Sequence, residues 1–215
     1  MVTATNYPDA LETLRGLARP LTASDLESLP DDGNRYELIG GQLFVSPSPN
    51  TLHQRISMKL GSALSAFLMV TTSGEAFAAP MDVHLSASDV VQPDLLVVMN
   101  ERADIVQQHG IVGAPSLVIE IVSPSSTRMD YLRKSKLYEH YGVREYWIVD
   151  PIEEMVSIQR LEDGVYVLLD GFGRDDTLRS PLLEGFELDL ALIFPERPAA
   201  GDVHGEESQS TDDNQ

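Results

Sequence analysis

Two carboxylates sit in this chain where a folded protein tolerates them only with a partner, and a lysine follows close behind. Glu120 lies in Leu117-Val118-Ile119-Glu120-Ile121-Val122, an apolar run typical of a strand buried on both faces. An isolated ionised Glu there is costly, so it needs a cation, a hydrogen-bond donor or a metal. The plainer readings are a strand-end residue facing solvent, or one half of a structural ion pair. Asp94 follows Pro93 at the head of a second apolar run, Leu95-Leu96-Val97-Val98. Alone, an Asp after Pro is equally well a turn or cap residue. If the two strands are neighbours, the acids can share one divalent cation. Mg²⁺ keeps several waters and takes only one or two protein carboxylates, which suits so sparse a set. Like charges held close demand such a cation, or one acid keeps its proton.

Lys134 is selected by helical geometry. Across a helix from Met129 to Tyr141, Tyr131, Leu137, Tyr138 and Tyr141 share one arc, and Lys134 falls in its middle. Arg133, Lys136 and Glu139 lie outside that arc, and Leu132 faces outward. A lysine in the centre of an apolar face is expected to meet an anion, with its pKa open to lowering by burial. Asp130, four residues earlier, is the bland alternative partner. Glu37, in Tyr36-Glu37-Leu38-Ile39, alternates with apolar neighbours and reads on pattern alone as the solvent side of a hairpin strand. His53 flanks the apolar face of a long helix, where histidine is more often a packing residue than a ligand. The five histidines have no zinc-ligand spacing, and there is no Gly-x-Ser-x-Gly elbow, phosphate-binding Gly-rich loop or dinucleotide fingerprint.

The elements that must position these groups can be read in order. Residues 1–20 read as a peripheral segment. Arg35 to Val45 reads as a hairpin around Gly40-Gly41. Leu52, Ile56, Leu60, Ala63, Leu64 and Phe67 recur at helical spacing over 52–69. Strands are expected near 74–79, 82–86 and 95–99, then a polar loop over 100–113. The Glu120 strand, the 129–141 helix and the run Glu145-Tyr-Trp-Ile-Val-Asp150 make a βαβ unit with parallel strands. Residues 155–161 and 164–169 form a second hairpin, 181–194 close the domain, and 196–215 form an acidic tail expected to be disordered.

The 215 residues suffice for one domain with a sizeable core, from about 21 to 195. Net charge is −19, and five of the 34 acids fall in the last fifteen residues, where no Lys or Arg occurs. That balance argues against tight, non-specific nucleic-acid binding by a monomer. Arg128, Arg133, Lys134, Lys136 and Arg144 cluster against only Asp130 and Glu139, and are the best candidates for a phosphate-facing surface. With no cysteine, disulfides and thiolate metal sites are excluded and a reducing cytoplasm is the expectation. No signal-peptide pattern is present, and no apolar run approaches the ~20 residues of a membrane span.

These residues resemble a known pattern. Pro93-Asp94, Ile119-Glu120-Ile121-Val122-Ser123-Pro124-Ser125, and Asp130-x-x-x-Lys134-x-x-x-Tyr138-x-x-x-Gly142-Val143-x-Glu145-Tyr146-Trp147-Ile148-Val149-Asp150-Pro151 are similar to the Uma-type restriction-endonuclease family of the PD-(D/E)-x-K nuclease superfamily. Arg35-Tyr36-Glu37-Leu38-Ile39-x-Gly41-x-Leu43 and His53-Gln54-Arg55 extend the likeness over roughly residues 20–195. The resemblance implies an α/β, restriction-endonuclease-like fold, a mixed central β-sheet flanked by α-helices, with its site where the strands splay at the sheet edge. It makes Asp94 and Glu120 metal ligands, Lys134 the lysine and Glu37 a further acid. The superfamily lysine stands two residues after the strand Glu, where this chain has Val122; Lys134 matches a lysine moved to the following helix. The expected activity is hydrolysis of DNA phosphodiesters with Mg²⁺ or Mn²⁺, the Ile121 carbonyl being a third ligand and a homodimer serving two strands. Two rivals are a catalytically idle nuclease-fold module that binds nucleic acid or protein, and a structural protein whose acids pair with Lys134 and Arg128.

Overall fold

The computed structural model describes residues 19–30, 32–123 and 128–195, with Leu14 and Gly16; for residues 128–130 it describes the backbone. The expected peripheral segment and acidic tail therefore lie almost wholly outside the described residues. A short helix, α1 (Ala23–Leu26), leads into the hairpin β1 (Arg35–Ile39) and β2 (Gln42–Ser46). Its two-residue loop, Gly40-Gly41, has φ of 59° and 71°. Positive φ at both positions is what a tight hairpin turn requires, and glycine adopts it without a steric cost.

Helix α2 (Thr51–Thr71) is started by Asn50, whose side chain accepts from the His53 N–H at 2.9 Å. Of the expected apolar stripe, Ile56, Leu60 and Leu64 are buried and Leu52, Ala63 and Phe67 half-buried, and Leu68, outside the expected set, is buried with them. Then follow β3 (Gly74–Ala78), the short β4 (Val83–His84) and β5 (Val90–Val91), and β6 (Leu95–Met99). The polar segment expected to be loop is more ordered: a 3-10 turn (Asn100–Ile105) precedes β7 (Val106–Gln107) and β8 (Gly110–Val112). These strands are too short to carry a readable alternation. Strand β9 (Leu117–Ile121), helix α3 (Arg128–Tyr141) and β10 (Glu145–Asp150) follow, and β9 and β10 pair in parallel as expected. The hairpin β11 (Met155–Glu162) and β12 (Val165–Gly173) runs longer than expected, and β13 (Thr177–Arg179) pairs with β14 (Glu187–Asp189) near the end.

Two six-stranded sheets result, a main one ordered β12-β11-β10-β9-β6-β3 and a second ordered β2-β1-β5-β4-β8-β7. On one face of the main sheet, Leu95, Leu117, Ile119 and Trp147 pack with the α2 stripe and with Leu183 and Phe186. On the other, Leu96, Val118 and Tyr146 meet Tyr138 of α3 and Val83, Val91 and Ile111 of the second sheet. Burial on both faces explains the unbroken apolar runs of β6 and β9.

Candidate active site

The acids meet at the ends of two inner strands, not at an edge strand. Strands β6 and β9 are antiparallel with Leu95 opposite Ile119, so one further step brings Asp94 against Glu120. Asp94 is held on both oxygens. Its Oδ1 accepts from Arg35 Nη1 at 2.8 Å, and Oδ2 accepts from the Ile121 amide at 2.7 Å and lies 3.0 Å from His53 Nε2. Burial alone would raise its pKa. The His53 hydrogen bond and the Arg35 charge outweigh that and hold it below the ordinary carboxylate value.

Glu120 experiences the reverse. Desolvation pushes its pKa up to about 7, with Lys134 opposing and Asp94 and Glu37 reinforcing the rise. Its Oε1 accepts from Lys134 Nζ at 2.9 Å and from the Tyr138 hydroxyl at 2.7 Å. Its Oε2 meets no donor among the described residues.

Glu37 corrects the alternation reading: it is buried, because α3 and not solvent covers its face of β1. Its Oε1 accepts from Lys134 Nζ at 2.9 Å and from the Gln92 N–H at 2.9 Å. Lys134 thus bridges two acids. Burial would depress the Lys134 pKa, but Glu120 and Glu37 overcome it and the value is raised. The expected lowering is therefore wrong, and this lysine is a cation rather than a neutral base. The Asp130 side chain lies outside the described residues.

Arg35, Glu37, His53, Asp94, Glu120 and Lys134 line one cavity of ≈ 470 Å³. The basic segment divides around it. Arg133 and Lys134 border the cavity, whereas Lys136 pairs with Glu139 and Arg144 with Glu101. Arg35 and Tyr138 are site residues to which the sequence reading gave no role. Both had a usable signal: Arg35 is two residues before Glu37 on one strand face, and Tyr138 is one helical turn beyond Lys134. His53 touches Asp94, while its Nδ1 is buried with no partner among the described residues.

A divalent cation suits the donor chemistry here, because Asp94 and Glu120 supply hard oxygens and Glu120 Oε2 is uncommitted. Asp94 Oδ1 accepts one hydrogen bond, from Arg35, and keeps a second lone pair to share. Among the described residues no three His, Asp or Glu side chains form a ready-made metal cluster. The protein would thus provide few ligands and water the remainder, as for Mg²⁺. Ile121, whose carbonyl was expected to assist, borders the cavity.

A family model described as "Uma2: Putative restriction endonuclease" matches residues 23–191, which contain the whole site. The chain belongs to this family. A solved structure described as a "putative nuclease belonging to DUF820", from Anabaena variabilis, aligns with a TM-score of 0.68 and 21% identity. The alignment covers 81% of this chain and 98% of that one, and it shows a shared fold. No curated protein matches the chain. Among the described residues no helix is long and apolar enough to cross a membrane.

Proposed function

We propose that this Uma2-family protein is a metal-dependent endonuclease that hydrolyses DNA phosphodiester bonds. One observation carries the reading: Lys134 Nζ lies 2.9 Å from both Glu120 and Glu37 in the cavity that Asp94 also lines. An ion pair serving stability alone has no need of a third acid, an arginine and a cavity beside it. In the reaction, water adds to phosphorus, the P–O ester bond breaks, and a phosphomonoester and a hydroxyl end are left. Mg²⁺ or Mn²⁺ held by Asp94 and Glu120, with the Ile121 carbonyl, would supply Lewis-acid charge to the phosphate and the water. The residues do the rest. Lys134, kept cationic by its two acids, offsets negative charge gathering on the phosphate oxygens. Tyr138 fixes the rotamer of Glu120, and Arg35 and His53 fix Asp94. Glu37 holds Lys134 on the cavity side of α3. A homodimer would present two such sites to two strands.

The test is cleavage of plasmid and single-stranded DNA with Mg²⁺ or Mn²⁺. Asp94→Ala, Glu120→Ala and Lys134→Ala should each lose at least about 100-fold in rate. Equal product from wild type and all three variants would mean a contaminant and remove the reading. One observation favours a second reading, a catalytically idle nuclease-fold module: both Asp94 oxygens are already engaged. Calorimetric titration separates the two. Mg²⁺ or Mn²⁺ binding that Asp94→Ala abolishes supports the enzyme, and no binding by wild type supports the module.

A further inference from the structure

Beside the acids, the cavity carries a feature that phosphate chemistry leaves unused. Phe44 stands on β2, the outermost strand of the second sheet, and the guanidinium of Arg133 lies over its ring at 4.5 Å from the centroid. Both residues line the cavity of the candidate site. Phe44 is the direct cross-strand partner of Glu37, so the two share a face of the hairpin, with Cβ atoms about 5 Å apart by antiparallel geometry. Arg133 directly precedes Lys134. The aromatic–guanidinium stack is therefore one residue from the acid on one side and one from the lysine on the other. Phe44 is only half-buried, although a core position would cover an aromatic ring fully.

We infer that Phe44 and Arg133 form a stacking platform for an unpaired nucleobase next to the reacting phosphate, so that the preferred substrate is single-stranded DNA. This rests on the nuclease reading above. Aromatic faces and guanidinium planes are the two protein surfaces on which splayed bases stack, and they are sequence-tolerant. In a duplex the base faces are covered by their neighbours and cannot reach such a platform. Charge argues in the same direction. Duplex binding depends on neutralising several phosphates with Lys and Arg. This chain carries −19, and Arg19, Arg35, Lys136, Arg144, Arg160, Arg174 and Arg179 are all engaged in ion pairs. A strand gripped by stacking at one nucleotide needs fewer cations than a duplex gripped along its backbone.

The experiment is fluorescence anisotropy of the full chain in EDTA, using a labelled oligonucleotide of about 12 nucleotides as single strand and as duplex. The single strand should bind more tightly, and Phe44→Ala should weaken it roughly 10-fold or more. Phe44→Leu, which keeps apolar bulk but no ring face, should lose as much and covers the case in which the alanine variant does not fold. Phe44→Trp should retain binding and show a new indole emission quenched by the oligonucleotide; Trp147 is fully buried and supplies a constant background. Duplex binding as tight as single strand, or unchanged single-strand binding by Phe44→Leu, overturns the platform. If those results accompany DNA cleavage that requires Asp94, the nuclease reading survives alone. Absence of both binding and cleavage by wild type overturns both.

Discussion

Asp94, just before β6, and Glu120, on the neighbouring β9, face each other, yet their surroundings drive their protonation in opposite directions. Donors surround Asp94, so its folded pKa is lowered. Its stabilising contribution is present above about pH 4, its unfolded value, and is lost as pH falls through the lowered folded value. Glu120 has a folded value of about 7. The native state then binds that proton more tightly than the unfolded chain, whose Glu titrates near 4.3. Its contribution is complete below that pH and is lost as pH rises through about 7. Urea unfolding across roughly pH 3 to 8 checks both signs. Asp94→Asn should flatten the acid limb, and Glu120→Gln should flatten the decline from about 4.5 to 7. A Glu120→Gln curve parallel to wild type over that interval would mean that Lys134 keeps Glu120 ionised throughout.

At the scale of elements, the site depends on how the β1–β2 hairpin is seated, since β1 carries both Arg35 and Glu37. A Cβ on Gly41 would meet Pro20 Cβ at 2.5 Å, and its φ is +71°. Gly40 has a φ of +59° but nothing within 4 Å. Gly41→Ala should therefore cost about 1–3 kcal/mol, from strain plus displacement of the Pro20 segment. Gly40→Ala should cost only the left-handed strain, about 1 kcal/mol. Thermal or urea unfolding of the two variants decides it, and equal losses would assign the whole effect to φ. The hairpin was legible from Gly40-Gly41, because a two-glycine loop is a local signal. What covers it was not: the alternation Tyr36, Leu38 against Glu37, Ile39 marks two faces without saying that α3 lies over one.

At the scale of the molecule, charge opposes folding. With −19 on 215 residues, acids beyond those in ion pairs repel one another. Screening shortens the electrostatic range from about 30 Å at 0.01 M salt to about 8 Å at 0.15 M. The urea midpoint should accordingly rise between those salt concentrations. A fall would show that ion pairs such as Arg174–Glu154 outweigh the net repulsion. The folded molecule resists that repulsion partly through Glu145, buried in β10, which accepts from Trp147 Nε1, Ser180 Oγ and the Leu182 N–H. These bonds tie the C-terminal elements to the main sheet.

Local pattern alone determined the long helix, the β9–α3–β10 unit, and the choice of Lys134 over Lys136, because periodicity and turn residues are written into adjacent positions. Lys136 is indeed exposed and paired with Glu139, and Leu132 does face outward. Pairing between distant segments was decided only by the tertiary structure. It brought Glu37 across 97 positions to Lys134, and Arg35 across 59 to Asp94. It also extended the β1–β2 hairpin into a second sheet with four strands of two or three residues, too short for any periodicity to register. A pKa follows the same division. The sequence can place a lysine in an apolar arc, but only the two acids that fold against it determine that burial fails to neutralise it.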